Sequence, residues 1–198
     1  MSTQPQRKFL TSTEYLEIER KAEFKSEYFN GEVFAMAGTS RAHSRISTNV
    51  SRILDTQTLT RECNVYSSEM RVKIEKIGKY TYPDIVVTCG KEKLEDAYFD
   101  TLLNPVVIIE ILSASTEAYD RGRKFQHYQF IDSLAEYILI VQDAVRVEQY
   151  VRQGDHTWLY SAYQNLDDVV KLESVNCEMT LKDIYNKVPA IAASTPEN

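Results

Sequence analysis

The chain has 198 residues, of which 43% are apolar and 26% charged, and its 23 Lys and Arg against 29 Asp and Glu give a formal net charge of −6. This length and near-average composition indicate one globular domain and exclude the disordered, collagen-like and low-complexity classes. The negative charge argues against a protein that coats nucleic acid through bulk charge, but it leaves room for a local basic surface.

The first part of the chain carries two helix signals and one hairpin signal. Thr11 and Glu14 have the spacing of a capping box and predict a short first helix. Asn30-Gly31 predicts a type I′ turn between two strands, because both central residues of that turn need a positive φ. Ser40 opens a second helix, in which apolar residues recur at the spacing of one helical face.

The rest of the chain predicts a β-rich domain with two more helices. Strands are expected over residues 65–74, 80–88, 105–112, 136–141, 145–151 and 158–163, and helices over residues 120–131 and 181–188. This order of elements indicates an α/β or α+β domain around a mixed central β-sheet flanked by helices. We expect this single domain to cover residues 11–188, between an N-terminal tail (1–10) and a C-terminal tail (189–198).

The cysteines and the apolar runs indicate where in the cell the protein is expected. Cys63, Cys89 and Cys177 are an odd number with no Cys-x-x-Cys spacing, which predicts three reduced, apolar residues rather than a disulfide framework or a zinc site. Residues 1–10 lack the apolar segment of a signal peptide, and the longest apolar run, 105–112, is too short to cross a bilayer. A cytoplasmic protein with no membrane partner is expected.

Two acids fall inside the most apolar strands. Asp84 follows Pro83 and precedes an apolar run, and Glu110 lies within the run 105–112. Burying a lone carboxylate costs several kcal/mol unless it is paired or bound to a metal. Two such acids therefore indicate a shared site for a hard cation such as Mg²⁺, which needs only one or two protein carboxylates. The alternative is that both acids cap loops or pair with arginines.

Glu32 and Lys124 are candidates to complete this set. Glu32 begins a strand just after the hairpin turn, and Lys124 lies on the helix that follows the Glu110 strand. A lysine that turns inward beside a metal can orient an attacking water and neutralise charge that builds on a phosphate. Asp120 lies four residues earlier and would orient Lys124. The alternative is that Lys124 and its neighbour Arg123 are ordinary solvated residues.

Three stretches of the sequence resemble the Uma-type family of restriction endonucleases, within the PD-(D/E)XK nuclease superfamily. They are YPDIVV, NPVVIIEILSASTEAYDRGRKFQHY and SLAEYILIVQDAVRVEQY, and the resemblance covers roughly residues 11–188. It implies a restriction-endonuclease-like fold and an endonuclease that hydrolyses phosphodiester bonds. The expected cofactor is Mg²⁺, with Mn²⁺ as the alternative.

The resemblance also implies roles for individual residues. Glu32 matches the acid contributed near the start of the core, and Asp84 matches the metal-binding aspartate of the Pro-Asp motif. Glu110 matches the first acid of the (D/E)XK triplet, and the carbonyl of Ile111 would be the backbone metal ligand.

The chain departs from the family pattern at the third place of that triplet. Leu112 stands where a lysine is expected. The resemblance therefore implies that the lysine has moved to the following helix, where Lys124 is the candidate for the catalytic lysine.

Six further residues are candidates for contact with nucleic acid. They are His43, Arg71, Lys73, Arg121, Arg123 and Tyr128. His43 is on the apolar side of the second helix, where a packed, hydrogen-bonded histidine is the alternative. Arg71 and Lys73 flank Val72 and so share one face of a strand, where solvated side chains are the alternative.

The expected partner is nucleic acid, most plausibly DNA, and the resemblance makes a homodimer the expected state because a compact nuclease needs a second subunit to cut both strands. The segment 137–150, with its tyrosines, is a candidate subunit contact, and core strands are the alternative. Two other functions stay open: a catalytically silent nucleic-acid-binding module on the same scaffold, and a protein whose acids close a structural metal site.

Overall fold

The structure is a computed structural model that describes residues 9–36, 38–154 and 156–189. Its helices are α1 (Ser12–Glu19), α2 (Arg41–Thr58), α3 (Glu117–Tyr119), α4 (Phe125–Tyr128) and α5 (Leu181–Ile184), with a π-helical turn, Asp120–Lys124, between α3 and α4. Its strands are β1 (Ser26–Phe29), β2 (Glu32–Ala35), β3 (Cys63–Ser67), β4 (Arg71–Ile74), β5 (Lys79–Thr81), β6 (Ile85–Cys89), β7 (Thr101–Leu102), β8 (Val107–Leu112), β9 (Glu136–Val141), β10 (Val147–Arg152), β11 (Trp158–Tyr163), β12 (Val169–Leu172) and β13 (Cys177–Thr180).

A six-stranded sheet in the order β11-β10-β9-β8-β6-β3 forms the centre of the domain. β8 and β9 are parallel, and the other neighbours are antiparallel. All six residues of β8 are buried because both faces of the sheet are covered. On one face Ile46 and Leu54 of α2 pack into the same core as Ile109 and Ile138 of the sheet.

The opposite face of this sheet packs against α4. Tyr128 lies there in a second core with Val86, Ile108 and Tyr137. This mixed α/β architecture confirms the predicted fold class: a mixed β-sheet flanked by helices.

A second sheet, in the order β2-β1-β5-β4-β7, brings the N-terminal hairpin to the central sheet. α1 covers it through Tyr15 and Leu16, which pack with Tyr28 and Tyr80. The structure adds a third, two-stranded sheet of β12 and β13, which the sequence did not indicate. The predicted central sheet is therefore accompanied by these two sheets, because strands that are neighbours in the sequence form hydrogen bonds in different sheets.

Two predicted strands are each divided between the two large sheets. The segment 65–74 becomes β3 and β4, which are separated by a turn in which the N–H of Met70 donates to the carbonyl of Ser67. The segment 80–88 becomes β5 and β6, with Pro83 at the break. The chain therefore passes from the central sheet to the second sheet and back, and this path carries Asp84 to the start of β6.

The local turn and cap predictions are confirmed. Thr11 is the N-cap of α1 and forms both hydrogen bonds of the capping box with Glu14. Asn30 and Gly31 join β1 and β2 with φ angles of 51° and 82°, as a type I′ turn requires. Of the helices in the described residues, none has the length and apolar character needed to cross a bilayer.

The prediction of three reduced cysteines was wrong for two of them. Cys63 of β3 and Cys89 of β6 are cross-strand partners and form a disulfide, while Cys177 is free and packs in the core as expected. The pair lies 26 residues apart in the sequence, so only the antiparallel pairing of β3 with β6 brings the two sulfurs together.

This disulfide can be tested by counting thiols. Protein that is purified without reductant and unfolded in guanidinium should titrate one thiol per chain, and three after reduction. The double variant Cys63→Ser/Cys89→Ser should lose about 2–4 kcal/mol of unfolding free energy, because the unfolded chain is no longer cross-linked. Cys177→Ala is the control and should titrate no thiol before reduction. Three thiols in unreduced wild-type protein would contradict the disulfide.

Candidate active site

The pairing of β6 with β8 brings the two predicted acids together. Ile85 pairs with Ile109, and Val86 pairs with Ile108. Continuing this register by one residue places Asp84 opposite Glu110 on the same face of the sheet. Side chains at directly opposite positions of antiparallel strands have Cβ atoms about 5 Å apart. The two carboxylates are therefore neighbours although 26 residues separate them in the chain.

Two donors hold the carboxylate of Asp84 in place. Its Oδ2 accepts a hydrogen bond from the backbone N–H of Ile111 at 2.7 Å and lies 3.1 Å from Nε2 of His43. His43 is in the first turn of α2, where its own backbone N–H donates to the Ser40 N-cap at 3.0 Å. The capping of α2 therefore sets the position of the imidazole that contacts Asp84.

Glu110 is buried, and its Oε1 receives two donors. The Nζ of Lys124 lies 2.8 Å away, and the Tyr128 hydroxyl donates to the same oxygen at 2.7 Å. Burial raises the pKa of Glu110 and the nearby carboxylate of Asp84 adds to the rise, while Lys124 opposes it. The protonation of Glu110 is therefore coupled to the charges around it.

Lys124 points inward, as predicted, from the π-helical turn. Its Nζ lies 3.4 Å from Oδ1 of Asp120 and 3.8 Å from Oε1 of Glu27, in addition to its contact with Glu110. Burial alone would lower the pKa of Lys124, but these three carboxylates outweigh burial and raise it well above the ordinary value. The side chain is a buried ammonium with acids on several sides.

Glu27 is an acid of this cluster that the sequence analysis missed. It lies on β1, where its carboxylate contacts the Thr81 hydroxyl and lies 3.4 Å from Nζ of Lys79. Burial would raise the pKa of Glu27, but Lys124 and Lys79 lower it. A signal was present, because Glu27 is an acid within a short strand and is followed by Tyr28 and Phe29.

Glu32, the predicted third acid, lies elsewhere on the hairpin. It is the first residue of β2 and pairs with Phe29 beside the turn. The cavity at the site is bordered by Glu27 and, within the described residues, not by Glu32. Side chains alternate along each strand, and this alternation places Glu27 and Glu32 on the same face of the hairpin. It does not show which end of the hairpin lies next to the site, so the sequence pattern did not distinguish the two acids.

A cavity of about 600 Å³ opens beside these side chains. Its walls come from the hairpin, α2 and the α3–α4 segment, and include Phe29, Phe34, Ser40, Arg123 and His127. Asp84, Glu110, Ile111, Lys124 and His43 also border it. The structure thus brings the predicted catalytic pair, the predicted backbone ligand and the predicted lysine to one opening.

His127 is a second imidazole at the cavity that the sequence analysis did not single out. Its ring stacks on Phe29 with centroids 4.9 Å apart. Burial lowers the pKa of His127, and the positive charges of Lys79 and Arg123 lower it further. These effects favour the neutral imidazole, and Glu27 opposes them.

Three of the six residues predicted to contact nucleic acid have side chains already paired with acids. Arg71 is buried and binds Asp100 at 2.8 Å, Lys73 binds Glu95 at 2.5 Å, and Arg121 binds Glu117 at 2.9 Å and also Glu148. In this structure these three side chains form ion pairs within the fold, and their contact with nucleic acid stays a prediction. The acids that pair with Arg71 and Lys73 come from distant segments of the chain. Of the two acids that pair with Arg121, Glu117 lies one helical turn earlier and Glu148 comes from a distant strand.

Tyr128 is fully buried, and its hydroxyl donates to Glu110, so its predicted contact with nucleic acid has no exposed surface in this structure. The segment 137–150, predicted as a possible subunit contact, is also mainly interior, because Tyr137 and its neighbours in β9 are fully buried. The core-strand alternative applies to that segment. His43 and Arg123, in contrast, do border the cavity.

The residues present fit a magnesium-type site rather than a closed protein cage. Within residues 9–36, 38–154 and 156–189 no group of three or more His, Cys, Asp or Glu is arranged to hold a metal ion. Asp84 and Glu110 supply two hard oxygen donors at the edge of an open cavity, and the Ile111 carbonyl is a third candidate. Mg²⁺ is commonly held by one or two carboxylates and keeps several waters, so this donor set is sufficient.

Comparison with known proteins identifies the family of this chain. A family model described as "Uma2: Putative restriction endonuclease" matches residues 12–182. The chain belongs to the Uma2 family. Two uncharacterised proteins of Synechocystis are relatives: one is 40% identical over 152 residues, covering 77% of this chain and 86% of that protein, and the other is 35% identical over 176 residues, covering 89% and 91%.

A solved structure shares the Uma2-family fold seen here. It is a "putative nuclease belonging to DUF820" from Anabaena variabilis, with a TM-score of 0.72, 21% identity, and coverage of 89% of this chain and 97% of that one. The family resemblance read from the sequence and the fold class are both confirmed.

The ion pairs around Arg71 predict a pH-dependent stability. Asp100 binds both Arg20 and Arg71, and although burial would raise the pKa of Asp100, these arginines lower it well below its usual range. Its stabilising effect is therefore present above the unfolded pKa of about 3.9 and is lost as the pH falls below it. Asp100→Asn should cost about 2 kcal/mol at pH 7, less than for a fully buried pair because Asp100 is about one-third exposed.

Urea unfolding of the wild type and Asp100→Asn from pH 7 to pH 3 tests this, and the difference should shrink as the pH falls. Asp96→Asn is the matched control and should cost less, because within the described residues Asp96 forms an ion pair with the partly exposed Arg20 alone. A difference between wild type and Asp100→Asn that stays constant down to pH 3 would contradict the assigned pKa.

Proposed function

We propose that this chain is a Mg²⁺-dependent endonuclease that hydrolyses phosphodiester bonds in nucleic acid, and that this nucleic acid is DNA. The observation that carries the proposal is the convergence of Asp84, Glu110 and Lys124 at one cavity, although they come from two strands and a helix. Membership of a family described as restriction endonucleases supports the reaction class.

Asp84 and Glu110 are the proposed metal ligands, together with the carbonyl of Ile111. A divalent ion bound there would supply Lewis-acid chemistry, by lowering the pKa of a water and polarising the phosphoryl oxygen. Mn²⁺ has similar oxygen preferences and is the alternative ion. The N–H of Ile111 and the imidazole of His43 orient Asp84, and Tyr128 orients Glu110.

Lys124 is the proposed catalytic lysine. Leu112, at the place where the family pattern has lysine, is buried in the core, while the ammonium of Lys124 reaches Glu110 from the helix. At the cavity this ammonium would position the attacking water and neutralise the charge that develops on the phosphate. Asp120 and Glu27 hold it in that position.

The endonuclease proposal also covers the third acid of the site and the oligomeric state. Glu27, rather than Glu32, is proposed as the third acid of the site, because Glu27 borders the cavity and contacts Lys124. A homodimer would place two sites on the two strands of a duplex, and this oligomeric state stays a prediction. The cytoplasmic location also stays a prediction.

One observation favours a second candidate function, a catalytically silent nucleic-acid-binding module. Lys124 already neutralises Glu110 at 2.8 Å, so the buried acid has a partner in the absence of a cation. On this alternative the ion pair maintains the scaffold, and Mg²⁺ would not bind at Asp84.

Removal of the proposed ligands tests the enzyme. Asp84→Ala and Glu110→Ala should each reduce Mg²⁺-dependent cleavage of a plasmid panel by at least about 100-fold, because each removes a charge that stabilises the transition state. Asp132→Asn is a matched control at an exposed acid and should keep wild-type activity. Circular dichroism should show that all variants are folded. A wild type that cuts neither DNA nor RNA with Mg²⁺ or Mn²⁺ would overturn the proposal.

The protonation of Glu110 predicts how metal affinity depends on pH. Burial raises the pKa of Glu110 and Lys124 lowers it, so a proton competes with a cation for this carboxylate as the pH falls. The apparent Mg²⁺ affinity should therefore rise with pH, by up to about tenfold per pH unit while Glu110 loses its proton, and level off once Glu110 is ionised. Calorimetric titration at several pH values measures this. Absence of any binding heat, with Asp84→Ala unchanged in nucleic-acid binding, would favour the silent module.

A further inference from the structure

A row of cations on α2 takes no part in the chemistry described above. Arg41, Arg45 and Arg52 are four and seven residues apart, so they lie on one side of the helix. Lys187, which follows α5, joins them: it borders a surface groove together with Arg41 and Arg45. Arg41, Arg52 and Lys187 are exposed, and Arg45 is half-buried. We call these four side chains the α2 track.

The α2 track is not neutralised by acids of the described part of the chain. Among those residues no carboxylate is within ion-pair distance of any of the four cations. Arg45 makes one hydrogen bond, from its Nε to the carbonyl of Asn186 at 3.3 Å, and its charge remains available. This distinguishes the track from Arg71, Lys73 and Arg121, which all pair with carboxylates.

The track begins where the cavity ends. Ser40 and His43 of α2 border the cavity, while Arg41 and Ser44, their sequence neighbours, border the groove. The first turn of α2 therefore borders the cavity on one side and the groove on another. On the other wall of the cavity Arg123 also lacks a carboxylate partner within the described residues.

We propose that the α2 track binds the phosphate backbone of the DNA whose scissile phosphate lies in the cavity, a proposal that rests on the proposed function. From Arg41 to Arg52 the helix advances about 16 Å, at about 1.5 Å per residue, which is too long for a single phosphate group. A duplex carries one negative charge per about 1.7 Å of its axis and can match such a row. Contacts to the phosphate backbone position a duplex without reading its base sequence. The α2 track would therefore set the affinity for the duplex and its direction across the protein, but not the target sequence.

Charge removal on the track tests this by equilibrium binding. Arg41→Gln/Arg45→Gln/Lys187→Gln should bind a fluorescein-labelled duplex about tenfold or more weakly, whatever its sequence, in full-length protein without Mg²⁺. The slope of log affinity against log salt should fall by about 2.7, since each lost phosphate contact contributes about 0.9. Arg52→Gln alone should lower the slope by about 0.9.

The matched control is Lys21→Gln/Lys91→Gln/Lys171→Gln, which makes the same change in net charge at exposed lysines outside the track. It should leave the salt slope close to that of the wild type. An equal loss of binding in this control would overturn the track in favour of bulk charge. Thermal melting of each variant checks that the fold is kept.

The outcomes separate this proposal from the endonuclease proposal. If the wild type cleaves DNA and the track variant binds with unchanged slope, the track is overturned and the endonuclease stands. If the wild type binds but never cleaves, and the track variant binds weakly, the track stands and the endonuclease is overturned. A loss confined to single-stranded RNA, with duplex binding unchanged, would overturn the assignment to DNA.

Discussion

The buried ion pair between Lys124 and Glu110 is the interaction on which the arrangement of the site depends. Two charges removed from water are tolerated only when their geometry is good and their remaining hydrogen-bonding groups are satisfied. Lys124 reaches Glu110 at 2.8 Å from a π-helical turn, and Tyr128 donates to the same carboxylate. The helical segment and the central sheet are therefore held together by the groups that the chemistry would use.

The same requirement explains why acids and bases alternate around the cavity. Glu27 lies between Lys124 and Lys79, and Asp120 supports Lys124 from within its own helix. Each buried charge has a partner of opposite sign, so the metal-free site can exist without a large desolvation penalty. The charges behind the net −6 are thus unevenly distributed. Paired charges lie in the buried site, and the cations of the α2 track, which have no acidic partner in the described part of the chain, lie on the surface.

Local features of the fold were predictable because neighbouring residues decide them. The capping box at Thr11 and the turn at Asn30-Gly31 depend on contacts within about three residues. The division of the segments 65–74 and 80–88 between two sheets was not predictable, because it depends on which distant strand each half pairs with. The disulfide between Cys63 and Cys89 follows from the same pairing, and the odd cysteine count concealed it.

The sequence by itself determined the candidate acid pair and the inward lysine, because a carboxylate inside an apolar strand is costly enough to demand a partner. Asp84 and Glu110 were recognisable on that ground, and Lys124 from its place on the following helix and from the family resemblance. Only the tertiary structure decided that Glu27 completes the cluster and that Arg71 is neutralised by Asp100. Both outcomes depend on ion pairs between residues far apart in the chain, and strand register, which no local pattern specifies, brings such residues within reach.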